Sequence, residues 1–192
     1  RLALFDAAAT LPGNSRRRMM AIGLACEFYV DQFPDDFAIE RLVRNDHVVS
    51  KSSPQRRELL GSCESRCMLI VAGIVRDAVA AGDLQLPNDV CADTQSSRVK
   101  KTSIGAEDFV FGLWSLMYGS QLIEATSPSL SAVGITRPRV TIRRDCNAML
   151  DGFHWQPLYE PATYQKQTRE TLQHFESMIE QLRQDGENQQ LS

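Results

Sequence analysis

The sequence lacks the features of several specialised protein classes. Its 192 residues include no apolar run near the ~20 residues that a membrane-spanning helix needs, and no signal-peptide pattern. A basic excess is also missing, since 21 Lys and Arg stand against 24 Asp and Glu, whereas a nucleic-acid-binding domain is usually basic. The five cysteines are scattered and odd in number, which favours a reducing compartment over a disulfide framework. We therefore expect a cytoplasmic protein with no membrane partner.

The cysteine and histidine spacing does not define a metal site. Cys63 and Cys67 lie one helical turn apart and could supply half of a site. No second pair completes it, because His47, His154 and His174 are isolated in the sequence. The simpler explanation is that both cysteines are small core residues on an apolar helix face, so we expect no metal.

Catalytic patterns are equally weak. Asp31, Asp35 and Asp36 are spaced somewhat like the magnesium-binding aspartates of helical prenyl-transfer enzymes, but Pro34 interrupts them and no second acidic cluster follows. Helix capping and solvation explain these aspartates. Neither a nucleophile elbow nor a glycine-rich phosphate loop is present. The arginine run 16–18 could contact an acidic partner, although such a run is more often the solvated start of a helix. We expect no catalytic residues and no cofactor.

Helical periodicity dominates the chain and predicts an all-α fold, a helical bundle of about six or seven helices. Asn14 or Ser15 can cap one helix, Ser53 and Pro54 suit the start of the longest one, and Gly82 suits its end. Residues 88–104 are polar and without pattern, which predicts a surface loop, and residues 186–192 predict a frayed tail. The predicted helices cover residues 1–10, 15–33, 35–48, 54–82, 105–125, 137–153 and 162–185.

The helix over 105–125, which begins GAEDFVFGLWSLMYG, is apolar nearly all the way round. At about 100° per residue, one side is small and flat and the other is bulky and aromatic. A helix with two apolar sides serves two buried surfaces. These are either the interior of a monomeric bundle or a cavity together with a subunit interface. The first side carries Phe109, Gly112, Leu116, Gly119 and Ile123, and the second carries Phe111, Trp114, Tyr118 and Leu122.

An ordered series of segments resembles the C-terminal regulatory domain of TetR-type transcriptional repressors. The series spans residues 1–158, which is most of the chain. Its members are SPQRRELL, which opens a long helix that closes as GIVRDAVAAGDLQLP, then FVFGLWSLMYGSQL, then SLSAVGI, and finally NAMLDGFHWQPL.

The resemblance implies a division of the chain. Residues 1–12 would be the end of the helix that links the DNA-binding and regulatory domains, 13–158 would form the ligand-binding and dimerisation domain, and 159–192 would be a C-terminal helical extension and tail. The family's N-terminal helix-turn-helix unit has no counterpart in this sequence. We therefore expect a longer parent protein, and no operator binding by this chain alone. The helix over 162–185 has no fixed counterpart; packing on its own domain is favoured over extending the dimer.

The same resemblance implies a homodimer whose parent changes its DNA affinity when a small effector binds. Aromatic and methionine side chains in the candidate pocket indicate a hydrophobic or aromatic effector. Ordinary core packing is the alternative for each of them. The candidate pocket residues are Met20, Phe28, Cys67, Met68, Val71, Phe111, Trp114 and Tyr118, and the candidate interface residues are Phe109, Gly112, Leu116, Gly119, Ile123, Ile142, Cys146, Met149 and Phe153.

Two other classes of function stay open. A helical small-molecule enzyme would need a convergent set of ionisable groups, which the sequence does not show. A structural dimerisation protein would have the interface but a filled core. A helix-turn-helix segment encoded upstream in the gene would separate the regulator from both.

Overall fold

In the computed structural model, which describes residues 1–86, 88–92 and 99–190, eight α-helices form a bundle, and the all-α prediction is confirmed. No helix within these ranges is both long and apolar enough to cross a membrane. A short 3₁₀ turn, Ser131–Val133, follows the sixth helix. The helices are α1 (Leu2–Thr10), α2 (Ser15–Gln32), α3 (Pro34–Val43), α4 (Asp46–Lys51), α5 (Pro54–Ala81), α6 (Ala106–Thr126), α7 (Pro138–Gly152) and α8 (Pro161–Gln190).

The predicted helix ends of α2 and α5 agree with the structure because their capping residues act as expected. The Asn14 side chain accepts a hydrogen bond from the Arg17 backbone N–H at 2.8 Å. Ser53 does the same for Arg56 at 3.3 Å. Gly82 ends α5 with a left-handed φ of 78°, a conformation that glycine adopts without steric cost.

Two helices differ from the prediction. The single helix expected over 35–48 is split, because Asn45 leaves the helical path and its side chain accepts from the His47 N–H at 2.9 Å, starting α4. The last helix continues to Gln190 instead of fraying after residue 185. The Glu and Gln residues there favour a helix enough to carry it past Gly186.

The loop prediction for residues 88–104 is wrong over most of its length. Strand β1 (Asn88–Ala92) pairs antiparallel with β2 (Val99–Ser103), with Asn88 opposite Ser103 and Ala92 opposite Val99. Residues 93–98, which were predicted as part of the same loop, lie outside the described residues. A two-stranded ladder is held by backbone hydrogen bonds that any residue except proline can make, so it leaves no apolar alternation to detect.

The bundle is organised around α2, which contacts α1, α3, α5, α6 and α8. At one end of the bundle, which we name the closed end, Trp155 is fully buried and its indole N–H donates to Ser15 Oγ at 3.0 Å. Arg16 lies beside it, almost wholly buried, and donates to the Trp155 carbonyl at 2.7 Å. Arg16 also forms an ion pair with Asp151 at 2.6 Å. The closed end therefore ties the first turn of α2 to the end of α7.

The other two arginines of the run also pair within the chain. Arg17 reaches Glu170 on α8 at 2.9 Å, and Arg18 reaches Asp77 on α5 at 3.0 Å. The expectation of a solvated run, or of a run that is free for an acidic partner, is therefore wrong. Sequence alone hides this, because the three partners are far away in the chain.

Helix α8 packs on its own domain, which was the favoured of the two expectations. Phe175 is fully buried, and its ring lies 5.7 Å from that of Phe28 on α2. Thr171, one turn earlier, is also fully buried. Further along, Leu182 is about half exposed, so the apolar side of α8 extends beyond the helices that it packs against.

Candidate functional site: an internal cavity and an exposed apolar face

A cavity of about 830 Å³ lies inside the bundle, between α2, α3, the first part of α5, α6 and α7. That volume falls in the range of about 300–1,000 Å³ that is typical of small-molecule sites. Most of its wall is apolar, and α1 contributes Leu2 and Phe5 to it. The cavity exists because the first half of α5 has no buried side chains, whereas the second half packs closely on α1 and α2.

The structure brings together six of the eight candidate pocket residues. Met20, Cys67, Met68, Val71, Trp114 and Tyr118 all line the cavity. Phe28 does not, because it packs in the core against Phe175. Phe111 does not either: it is 60% exposed on the outer side of α6. Placing Phe111 and Trp114 on the same side of α6 was the error, since the helix turns Phe111 away from the cavity.

The open side of the cavity, which we name the mouth, lies where α3 and α4 face the first half of α5. Its exposed lining residues include Ile39 on α3 and Leu60, Gly61 and Cys63 on α5. Arg57 on α5 donates to the Val49 carbonyl at the end of α4 at 3.4 Å. The mouth is therefore formed by apolar side chains that solvent reaches.

Arg44 joins three elements at the mouth. It pairs with Glu40 at 3.2 Å and with Glu64 at 2.9 Å. Its guanidinium also lies over the rings of Trp114 and Tyr118, 5.3 and 4.9 Å from their centroids, which are cation–π distances. Burial opposes the charge of Arg44, but the hydrogen bond that it donates to Glu64 and the nearby carboxylates more than offset this and raise its pKa.

A second polar group of side chains lies deeper in the cavity wall, and we name it the inner polar cluster. It consists of Glu27, Gln121, Arg143, Asn147 and Tyr164. Glu27 is only 5% exposed, and both of its carboxylate oxygens accept from Arg143 Nε at 2.9 Å. Asn147 donates to the Arg143 carbonyl at 2.9 Å. Burial raises the pKa of Tyr164 to about 12, so its hydroxyl keeps its proton at neutral pH.

Gln121 is the exception within the inner polar cluster. It is 7% exposed, and its amide nitrogen has no hydrogen-bond partner among the described residues. Gln121 also borders a small void of about 10 Å³, which Glu27 and Met117 line as well. A buried amide without a partner costs about 1–3 kcal/mol, so this position has an unmet need for a hydrogen bond.

Four cysteines line the cavity, and none of the four forms a disulfide. Burial raises the pKa of Cys26 to about 12 and that of Cys146 to about 11. Burial also raises the pKa of Cys67, whereas Cys63 is exposed at the mouth. Across residues 1–86, 88–92 and 99–190, no three His, Cys, Asp or Glu side chains cluster as a metal ion would require.

The outer side of α6 carries an exposed apolar face. Two of its candidate interface residues, Leu116 and Ile123, are 39% and 53% exposed, and Gly119 lies between them, half-buried. Gly112, one turn before Leu116, is also half-buried, and Met149 of α7 lies against it. Nothing lies within 4 Å of a Cβ added at Gly119. The exposed residues that complete this outer face of α6 are Phe111 and Leu122, which were assigned to the other side of the helix.

Phe109 does not belong to that face. It is buried, with its ring 4.9 Å from Phe153 and 5.7 Å from Trp155. The α7 candidates are also occupied within the chain. Cys146 lines the cavity, Met149 packs on Gly112, Phe153 packs on Phe109, and Ile142 borders the small void beside α2. Phe109 is therefore wrong as an interface residue because it is buried, whereas the four α7 candidates are only partly buried and stay predictions.

The sequence did not identify the Glu27–Arg143 pair or Gln121. Glu27 is the one acidic residue in an otherwise apolar stretch of α2, from Met19 to Val30, and that isolation was the available signal. A lone buried acid needs a cationic partner, but nothing in the sequence indicates which arginine supplies it.

Comparison with family models, with curated proteins and with solved structures gave no match for this chain.

Proposed function

We propose that this chain is the effector-binding and dimerisation domain of a TetR-like transcriptional regulator. One observation carries the proposal: α6 lines an internal cavity with Trp114 and Tyr118 and presents exposed apolar residues on its opposite side. A helix that serves a cavity and a partner subunit needs both features. A structural dimerisation protein would fill its core, and the cavity of about 830 Å³ supports the binding of a small molecule instead.

The cavity offers a route from ligand to DNA-binding unit. Leu2 and Phe5 of α1 line it, together with residues of α2, α5 and α6. In a TetR-like protein, α1 is the end of the helix that leads to the DNA-binding unit. An effector that fits one position of α1 better than another shifts the population of the dimer toward that position. The parent would then lose or gain its operator-competent geometry.

The proposed role is binding and not catalysis. The ionisable groups in the described part of the cavity wall are mostly paired with each other, as in Arg44 with Glu64 and Arg143 with Glu27. Catalytic acids and bases have to contact a substrate and exchange protons with it, whereas these carboxylates are engaged by guanidinium groups of the same wall. Cys26 and Cys146, with their raised pKa values, are poor nucleophiles.

Native mass spectrometry tests the proposal directly. We expect a species at twice the 21.5 kDa of one chain, and extra mass on it where a co-purified effector is retained. Gly119→Trp should weaken the dimer at least tenfold, because it places an indole on the outer face of α6. Gly73→Trp on α5 is the matched control, since an added Cβ there also meets nothing within 4 Å.

Two results would contradict the proposal. The first is a wild-type chain that stays monomeric at micromolar concentration. The second is a Gly119→Trp dimer as stable as the wild-type dimer. Sequencing the gene upstream of Arg1 is an independent check, since the proposal requires a helix-turn-helix segment there.

A further inference from the structure

We infer that the cavity selects an uncharged, mainly apolar ligand with one polar head, and that Gln121 hydrogen-bonds to that head. The inference rests on the proposed function, because it defines the chemical class of the effector. It follows from the charge balance of the cavity wall and from the unpartnered amide within it.

Among the described residues, the cavity wall carries no net formal charge. Four arginines line it and four acidic residues line it, so their formal charges cancel. The arginines are Arg1, Arg44, Arg57 and Arg143, and the acids are Glu27, Asp36, Glu40 and Glu64.

Six of these eight charges are also paired. Glu27 binds Arg143, Arg1 pairs with Glu40 at 2.6 Å, and Arg44 pairs with Glu64 at 2.9 Å. The remaining two, Asp36 and Arg57, are exposed at the mouth, where water screens them. A charged ligand would lose its hydration and find no counter-ion of its own. An uncharged ligand avoids that penalty.

Gln121 supplies a free polar contact in the inner part of the cavity wall. Its amide nitrogen lacks an acceptor among the described residues, whereas the neighbouring Glu27, Arg143 and Asn147 bond to one another within the inner polar cluster. The terminal torsion of a glutamine side chain turns with little cost, so the amide donates to a carbonyl oxygen or accepts from a hydroxyl. A ligand with a carbonyl or hydroxyl head therefore fits this end of the cavity, with its apolar part toward Met68 and Trp114.

Displacement of a neutral fluorophore tests the charge preference. Nile red would be bound to the purified protein and displaced by 1-decanol, decyl sulfate or decyltrimethylammonium, which share one alkyl tail and differ only in the head. We expect 1-decanol to displace Nile red at a free concentration at least tenfold lower than either charged compound. Equal or better displacement by a charged compound would overturn the inference.

Two substitutions identify the groups responsible. Gln121→Leu should weaken 1-decanol binding about tenfold and leave Nile red binding within about twofold, with the exposed Gln173→Leu as control. Glu27→Gln frees Arg143 from its carboxylate and should improve decyl sulfate binding at least tenfold, without improving decyltrimethylammonium. If Glu27→Gln does not fold, Glu64→Gln at the mouth should improve decyl sulfate binding in the same direction. An unchanged head preference in all of these variants would overturn the assignment.

Failure of this inference differs from failure of the proposed function. A dimer that binds Nile red but prefers a charged head contradicts only the ligand class. A protein that binds no Nile red at all overturns the effector site itself, and with it this inference.

Discussion

The two halves of α5 differ, although they belong to one continuous helix of 28 residues. The second half buries Val71, Ile74, Val75 and Ala78 against α1 and α2. The first half buries nothing, and Leu59 is 66% exposed. Because the same helix is packed at one end and open at the other, the bundle concentrates its stability at the closed end and leaves the other end for a cavity.

This separation has a physical cause. A cavity removes the contacts that would stabilise the helices around it, so those helices have to be positioned from elsewhere. At the closed end, Trp155 and Arg16 fix α2 to α7, and Val75 is fully buried in α5. At the mouth, Arg44 supplies ion pairs and ring contacts instead of buried apolar area. Stability and binding can therefore be changed separately.

The largest predicted effect is on the closed end. Trp155→Ala should lower the free energy of unfolding by about 3–5 kcal/mol, since it removes a fully buried indole and its hydrogen bond to Ser15. Trp114→Ala on the cavity wall should cost no more than about 2 kcal/mol but weaken Nile red binding. Urea unfolding monitored by circular dichroism measures both. Equal losses of stability would contradict the separation.

The next largest loss in the free energy of unfolding is expected from replacing Arg16. Arg16→Met leaves Asp151 and the Trp155 carbonyl without their donor at the closed end, and should cost about 3 kcal/mol. Arg17→Met is the control, because Glu170 in its pair is more than a third exposed and such pairs contribute less than about 1 kcal/mol. The same urea titration applies. If Arg16→Met leaves the free energy of unfolding unchanged, the buried pair adds no net stability over an apolar side chain.

A smaller effect concerns pH and the cavity wall. The folded protein raises the pKa of Cys26 from its ordinary value of 9.0 to about 12, because protein atoms enclose the thiol and its remaining exposed area faces the cavity. The unfolded chain therefore releases this proton first as the pH rises. Stability is complete below about pH 9 and should fall by about 1 kcal/mol by pH 10.

Replacement of the thiol isolates this contribution. Cys26→Ala should lose less stability than the wild type between pH 8 and pH 10, whereas Cys63→Ala at the exposed mouth should keep the wild-type loss. Denaturant titrations at each pH give the two slopes. Identical slopes for the wild type and Cys26→Ala would contradict the assigned cause.

Local signals predicted the helices well. Ser53 and Gly82 act through their own backbone neighbours, so the sequence contains the whole interaction and gives the ends of α5. The two-sided character of α6 was also predictable, since apolar spacing is a property of one helix. The strand pair β1 and β2 was missed, because the ladder depends on backbone groups that every sequence has.

Long-range contacts limited the prediction of the site. Which way α6 rotates decides that Phe109 is buried and Phe111 exposed, and this depends on α7 and Trp155. The same rotation decides that Trp114 reaches the cavity. The Glu27–Arg143 pair joins residues 116 positions apart, so no local pattern announces it. The sequence therefore predicts which sides of a helix are apolar, but it does not predict which other elements those sides contact.

The arginines in the first turn of α2 also affect the order in which the contacts of the fold can form during synthesis. Arg18 meets its acceptor 59 residues later, whereas Arg16 and Arg17 meet theirs 139 and 153 residues later. A ribosome adding roughly 5–20 residues per second leaves these two without their partners for on the order of ten seconds. An unpaired guanidinium does not enter an apolar core. Arg16 therefore cannot reach its buried position until Trp155 has been synthesised.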